Sequence, residues 1–192
     1  MTTIRTAQRS ERLRAMDVQV LAFAADPVIR WLWPEPHDYL VHFPTLLEGF
    51  GGRGFDEGAV HLADAFEGCA MWLPPGVSPD EETLDTAVRA SVRPSIASEL
   101  GDIFEEMAAS VPETPHWHLA FIGVDPLAHG RGVGGALLEH ALERVDTDGG
   151  HAYLESTNPR NITLYQRHGF EVTREIRVGS APPLFPMVRA PR

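Results

Sequence analysis

Between positions 129 and 135 the chain reads His129-Gly130-Arg131-Gly132-Val133-Gly134-Gly135, and an apolar run with helical spacing follows. The first turn of a helix has N–H groups without partners and a partial positive charge, so it attracts an anion such as phosphate. Glycines let the backbone approach that anion and adopt positive φ. Arg131 can add a charge-assisted contact. Taken alone, the turn has several readings. A purely structural turn needs no ligand. A Walker-type phosphate loop needs a lysine, and this chain has none, every basic residue being Arg or His. The same absence removes pyridoxal-phosphate Schiff bases and the protein-kinase core. A dinucleotide-binding turn wants Gly-x-Gly-x-x-Gly early in the chain. Here the spacing is Gly130-x-Gly132-x-Gly134, late in the chain, although Glu155 lies at about the distance of a ribose-binding acid.

Other reactive side chains narrow the chemistry further. Nine histidines are present, but no His-x-x-x-His or Cys/His cluster has ligand spacing, so no metal is expected. Cys69 is the single cysteine, too few for an internal disulfide; it sits in a predicted core strand and reads as packed. This points to the cytoplasm. The formal net charge of -11 argues against nucleic acid as a partner and would steer a cationic substrate. No stretch reaches the roughly 20 apolar residues of a membrane span, and the N-terminus lacks the apolar core of a signal peptide. The length, 192 residues with 43% hydrophobic, suits a single domain, residues 1–192. The sequence leaves a homodimer open.

The elements that must position the turn follow from periodicity and punctuation. A short strand is predicted over 3–7, then a helix from Ser10 to about Ala24 with Leu13, Val20, Leu21 and Ala24 on one face. Asp26-Pro27 interrupts it. An aromatic stretch, Trp31 to His37, leads into a helix over 38–50 with Pro44 inside, and a glycine-rich loop follows. Residues 59–65 and 69–73 form a hairpin signal. Ser78 caps a helix running to about Val92, and another covers 95–110. His116 to Val124 is a strand. The helix after the turn runs from Gly132 to about Asp146, with Val133, Leu137, Ala141 and Val145 on its apolar stripe. A strand over 151–155, a helix over 161–168 capped by Gly169, and strands over 170–178 and 184–189 complete the chain.

Two blocks now resemble the GNAT superfamily of acetyltransferases. Val124-Asp125-Pro126 followed by His129-Gly130-Arg131-Gly132-Val133-Gly134 looks like its acetyl-CoA signature, a strand ending in Val-x-Pro and then Gln/Arg-x-x-Gly-x-Gly/Ala. Asn158-Pro159-Arg160-Asn161-Ile162-Thr163-Leu164-Tyr165 with Gly169-Phe170 resembles the family's Asn, Leu-Tyr, Gly-Phe pattern. His129 stands where the family has Gln or Arg. The two helices before the long central strand make the layout similar to puromycin N-acetyltransferases and their relatives.

The resemblance implies an α/β (α+β) fold: a mixed twisted sheet of about seven strands, flanked by helices, whose parallel central strands splay to hold acetyl-CoA. It implies that backbone groups of Ile122, Gly123 and Val124 pair with the pantetheine arm. It implies that the turn from His129 through Gly130, Arg131, Gly132, Val133, Gly134 and Gly135 cradles the pyrophosphate, that Asn158 contacts the cofactor, and that Tyr165 protonates the departing thiolate. The implied activity is N-acetyl transfer to a primary amine of a small molecule by direct attack. A non-catalytic acyl-CoA-binding module and a protein or peptide acetyltransferase are the alternatives. Glu155 and His118 are the candidates for the base, acting directly or through water, with a purely structural role open for each and His118 expected on the face of Ala120 and Ile122; His116 and His151 are weaker candidates. Trp31, Trp33, Phe43, Trp72 and Trp117 are candidates to line the acceptor pocket, with Glu35 and Asp38 to hold an ammonium.

Overall fold

The structure, a computed structural model, describes residues 2–192. The sheet is aligned on β4 (His116–Val124), a strand whose residues alternate between buried and half-buried. None of its residues is exposed, as in a strand packed on both faces. To one side of β4 lie β3 (Gly68–Leu73), β2 (Val60–Ala63) and β1 (Ile4–Thr6), all antiparallel. To the other lies β5 (His151–Ser156), the one parallel neighbour, then β7 (Phe185–Arg189) and β6 (Glu171–Val172). The order is β1-β2-β3-β4-β5-β7-β6.

Helices cover both faces. α6 (Val133–Thr147) packs on one through Val133, Leu137, Leu138, Ala141, Leu142 and Val145, the stripe its periodicity predicts. The other face carries α1 (Arg12–Ala22), α2 (Pro27–Leu32) and α3 (Pro36–Gly51). α4 (Glu81–Ser91) and α5 (Ala97–Ala108) lie between β3 and β4 in sequence. α7 (Ile162–Arg167) ends at Gly169, whose φ of 90° suits glycine.

Several boundaries differ from the sequence reading. α1 buries Ala15, Met16, Val18 and Gln19, not the predicted face: Leu13 and Leu21 are 77% and 54% exposed. The buried face includes Gln19, a polar residue whose Nε2 donates to the Cys69 carbonyl at 2.9 Å while its Oε1 finds no partner among the described residues. Asp26-Pro27 does not merely end a helix; it starts α2, with Asp26 as N-cap and Pro27 in the first turn. α4 is capped by Asp80, which accepts from the Thr83 N–H, and not by Ser78. The strand predicted over 170–178 is reduced to β6 and an isolated bridge, Ile176 with Leu184.

A bulge falls between Met71 and Trp72, where Met71 faces Phe121 and Trp72 faces Leu119. The unopposed residue is Ala120. Before it, Trp117 and Leu119 belong to the α6 side; after it, Phe121 belongs to the α1 side and Ile122 and Val124 to the α6 side. One extra residue thus reverses the alternation. His118 and Ala120 share a face, but Ile122 lies on the opposite one, contrary to the expectation from simple alternation.

His61 on β2 faces α6, its ring edge-on to His140 at 4.9 Å. Burial first, then His140 and Arg144, lower its pKa to about 4. A histidine kept neutral when folded but free to protonate when unfolded loses stability as pH falls below the unfolded value near 6.5, and the loss is complete below the folded value. Between pH 7 and pH 5 this amounts to about 2 kcal/mol. Urea unfolding at both pH values tests it: in His61→Gln the difference between them should shrink by about that amount. An undiminished difference would mean that other groups cause the pH dependence.

Candidate active site

β4 and β5 pair only at their starts: His116 with His151, Trp117 with Ala152, and His118 with Tyr153. β4 remains paired with β3 as far as Val124. From Leu119 to Val124 its β5-facing edge is therefore free of strand pairing, and a fork opens between the two parallel strands. Ile122, Gly123 and Val124, the residues expected to pair with a pantetheine arm, lie along that free edge. Gly123 has a further reason to be glycine. A Cβ there would lie 2.4 Å from Gln19 Oε1 and 2.6 Å from the Ala22 Cβ, so α1 could not approach the strand as closely.

The glycine turn follows at the end of β4. Gly130 and Gly132 have φ of 75° and 81°, and nothing lies within 4 Å of a Cβ at either, so backbone conformation and not space selects glycine. Gly134 and Gly135 are helical, with only ordinary contacts to Leu164 and His168 from a hypothetical Cβ. No side chain caps α6. The N–H groups of Val133, Gly134 and Gly135 therefore emerge from its first turn unsatisfied. Arg131 pairs with Glu67 of the β2–β3 turn at 2.7 Å. The ring of His129 bonds through Nε2 to the Val124 carbonyl at 3.1 Å, closing the turn back onto the end of β4.

Beyond β5, Asn158 uses its side-chain oxygen to accept the Arg160 N–H at 3.1 Å, which starts a short 3-10 turn before α7. Tyr165 is buried on the α6 side of the sheet, its ring edge-on to Phe170 at 6.2 Å. Burial, and next the Asp26 carboxylate, raise its phenol pKa above the usual value, which keeps the phenol protonated.

On the opposite face of the sheet, His118 and Glu155 meet. His118 Nε2 lies 3.0 Å from Glu155 Oε2, and their side chains are 16% and 8% exposed. Neighbouring parallel strands bring them together at the mouth of the fork. His116 instead bonds the Thr114 carbonyl, and His151 is exposed at the start of β5. Cys69 is fully buried and its thiol is pushed up to about 12, so it is no nucleophile at neutral pH. Among the described residues no group of three His, Cys, Asp or Glu side chains could hold a metal ion.

The expected aromatic pocket does not assemble. Trp33 and Phe43 fill the core under α1 and α3, while Trp72 and Trp117 fill the core under α6. Large aromatics gain most by complete burial, and these four achieve it. Only Trp31 stays at a boundary. Its indole N–H donates to Ser180 Oγ at 3.1 Å, and the Ser180 hydroxyl and N–H both donate to Glu99 Oε2 at 2.8 and 2.7 Å. This chain ties α2 to α5 and to the segment between β6 and β7. Glu35 and Asp38 are exposed at the start of α3.

Asp26 is the residue that sequence reasoning missed. Its Oδ1 accepts from the Val28 and Ile29 N–H groups at 3.0 and 3.1 Å, and its Oδ2 accepts the Thr157 hydroxyl at 2.6 Å. It is 7% exposed, and burial raises its pKa against these hydrogen bonds. It ties the start of α2 to the end of β5 beside Tyr165. The Asp-Pro pair was the available signal, because Asp as N-cap with Pro following it opens helices as readily as it ends them.

Residues 78–170, just under half of the chain, match the profile of the Acetyltransferase (GNAT) family. The fold resembles the crystal structure of histone acetyltransferase HPA2 and related acetyltransferase from Corynebacterium glutamicum, with a TM-score of 0.70, 26% identity, and coverage of 100% of this chain and 98% of that one. A mycothiol acetyltransferase of Beutenbergia cavernae is 36% identical over 73 residues, 36% of this chain and 25% of the relative. An uncharacterized N-acetyltransferase of Schizosaccharomyces pombe is 26% identical over 141 residues, 66% of this chain and 57% of the relative. The chain thus spans a quarter and somewhat over half of these two relatives. The seven-stranded mixed sheet with flanking helices is the GNAT fold.

Asp26→Ala removes the N-cap and the Thr157 hydrogen bond together, and should destabilise the fold by about 2 kcal/mol. Asp26→Asn, itself a good N-cap, should recover most of that. Thermal unfolding of the two variants measures the difference. Equal losses in both would show that the charge of Asp26, not its capping geometry, stabilises this junction.

Proposed function

We propose that the chain, acting as one domain in the cytoplasm, transfers the acetyl group of acetyl-CoA to a primary amine of a small molecule by direct attack. The observation that carries this reading is the fork between β4 and β5, with the His118–Glu155 pair on one face and Tyr165 on the other. The uncapped start of α6 and the positive φ of Gly130 and Gly132 fit a pyrophosphate there, and the free edge of Ile122 to Val124 fits an amide-bearing arm. Glycine at 134 and 135, where the protein itself leaves room for a methyl group, is explained by a ligand seated against the helix. His129 and Arg131 are already engaged with Val124 and Glu67, so the backbone N–H groups carry most of the anion contact.

When bound, acetyl-CoA supplies an activated acyl group and a thiolate leaving group. The chain supplies proton transfer and polarisation. An alkylammonium must lose a proton before it can attack. If Nε2–H of His118 donates to Glu155, Nδ1 is left as the basic nitrogen, and Glu155 fixes that tautomer and stabilises the imidazolium. A backbone N–H on the free edge of β4 polarises the thioester carbonyl. Tyr165, held protonated by burial, gives its proton to the departing sulfur.

The relatives' names cover a mycothiol and a histone acetyltransferase. The choice of a small acceptor therefore rests on this chain's site. Its proposed base is largely enclosed, whereas a protein acceptor needs an open acidic groove. α4 and α5, the pair that resembles the puromycin N-acetyltransferase layout, contribute Glu99 to the Trp31–Ser180 junction on the acceptor side.

Acetyl transfer from acetyl-CoA to a panel of small primary amines tests the proposal. Tyr165→Phe should lower kcat about 100-fold and leave CoA affinity unchanged. Glu155→Gln should lower kcat/KM by a similar factor. Full activity in Tyr165→Phe would remove the acid role. Tight CoA binding without turnover on any amine or peptide would favour a non-catalytic binding module.

A further inference from the structure

Tyr153 sits where β4 and β5 part. It is the cross-strand partner of His118, the last pair before the fork, and it precedes Glu155 by two residues on the same face of β5. Its other neighbour is Val188 of β7, which offers no polar side chain. Its ring packs against His116 at 5.6 Å and His118 at 5.4 Å. The residue is fully buried, and its hydroxyl has no hydrogen-bond partner among the described residues. A buried hydroxyl left unpaired is costly, so a tyrosine kept here where phenylalanine would pack needs a reason. Burial, then the nearby Glu155 carboxylate, raise the pKa of the phenol, so it is a donor throughout the physiological range. Glu155 Oε2 is taken by His118, while Oε1 carries no hydrogen bond among the described residues.

We propose that Tyr153 is a positioning residue: its O–H donates to Glu155 Oε1 and completes a Tyr153–Glu155–His118 chain that holds the carboxylate against the imidazole. This rests on the reading of His118 and Glu155 as the base. Two donors on one carboxylate fix its orientation and draw charge away from Oε2. Glu155 then orients His118 without binding its proton too tightly, and the imidazole gives the proton up again after each turnover. Tyr153 does not itself touch the reacting atoms, since its hydroxyl is closed off from solvent.

Tyr153→Phe removes the donor and little else. Without it the carboxylate charge concentrates on Oε2 and favours the imidazolium. The expected results are a kcat about tenfold lower, an acceptor KM changed less than twofold, and an acid limb of the kcat/KM profile shifted to higher pH by at least about half a unit. Tyr153→Phe in a Glu155→Gln background should cause no further loss, because the residue acts through Glu155. Tm should fall in Tyr153→Phe. A Tm above wild type, the result for a hydroxyl that finds no partner, would overturn the proposal, as would independent losses in the double variant. Wild-type activity in both Glu155→Gln and His118→Ala would instead overturn the base reading, while a deficient Glu155→Gln with an unaltered Tyr153→Phe profile would sink this inference alone.

Discussion

The molecule depends on a failure of pairing. β4 and β5 run parallel and bond for three residue pairs, then separate, while β4 keeps its partner on the other side to the end. Unpaired backbone groups inside a sheet are costly unless something else satisfies them. The free edge of these six residues is where the proposed pantetheine arm would supply a strand's hydrogen bonds. The bulge opposite Met71 and Trp72 belongs to the same arrangement. Bulges bend a strand and increase its twist, and here the bulge falls where the fork begins.

The residues proposed to act chemically come from the elements around this opening. The strand that loses its neighbour ends in the glycine turn, whose uncapped helix points partial positive charge at the same gap. Tyr165 approaches from the α6 face. His118, Tyr153 and Glu155 lie on the other, contributed by the two strands that separate. Asp26 and Thr157 lock α2 onto the end of β5 with a part-buried hydrogen bond across 131 residues of sequence. The proposed proton donor, Tyr165, and the proposed base, His118 with Glu155, thereby lie on opposite faces of the sheet.

The two cores have different tasks. Under α6, close packing of Leu137, Leu138, Trp72, Trp117 and Leu154 gives the glycine turn a rigid base. Under α1 and α3, Phe43, Trp33 and Phe121 make the same kind of core, but its margin is polar: Gln19 holds α1 to β3, and Trp31, Ser180 and Glu99 hold α2 to α5. Hydrophobic burial sets where these helices lie, and directional hydrogen bonds set their register.

The sequence alone determined the features that are local. The glycine turn, the stripe on α6, the strand from His116 to Val124 and the helix ending at Gly169 depend on φ, on helical period and on capping, which neighbouring residues decide. The Asn158 to Phe170 block, in the right order after the turn, was enough to suggest the family. Tertiary structure decided what depends on pairs far apart in the chain. Ile122 left the face of His118 because one bulged residue reverses alternation, and no residue type announces a bulge. Leu13 and Leu21 lost the core to Ala15, Met16, Val18 and Gln19, the last tied to β3 through the Cys69 carbonyl, a contact that the helical period alone does not announce. Four tryptophans and phenylalanines expected in a pocket became core. Asp26, read as a helix breaker, became the junction between the two halves of the site. Glu155 and His118, separate candidates in the sequence, became a hydrogen-bonded pair because the fork begins just past the point where their strands still touch.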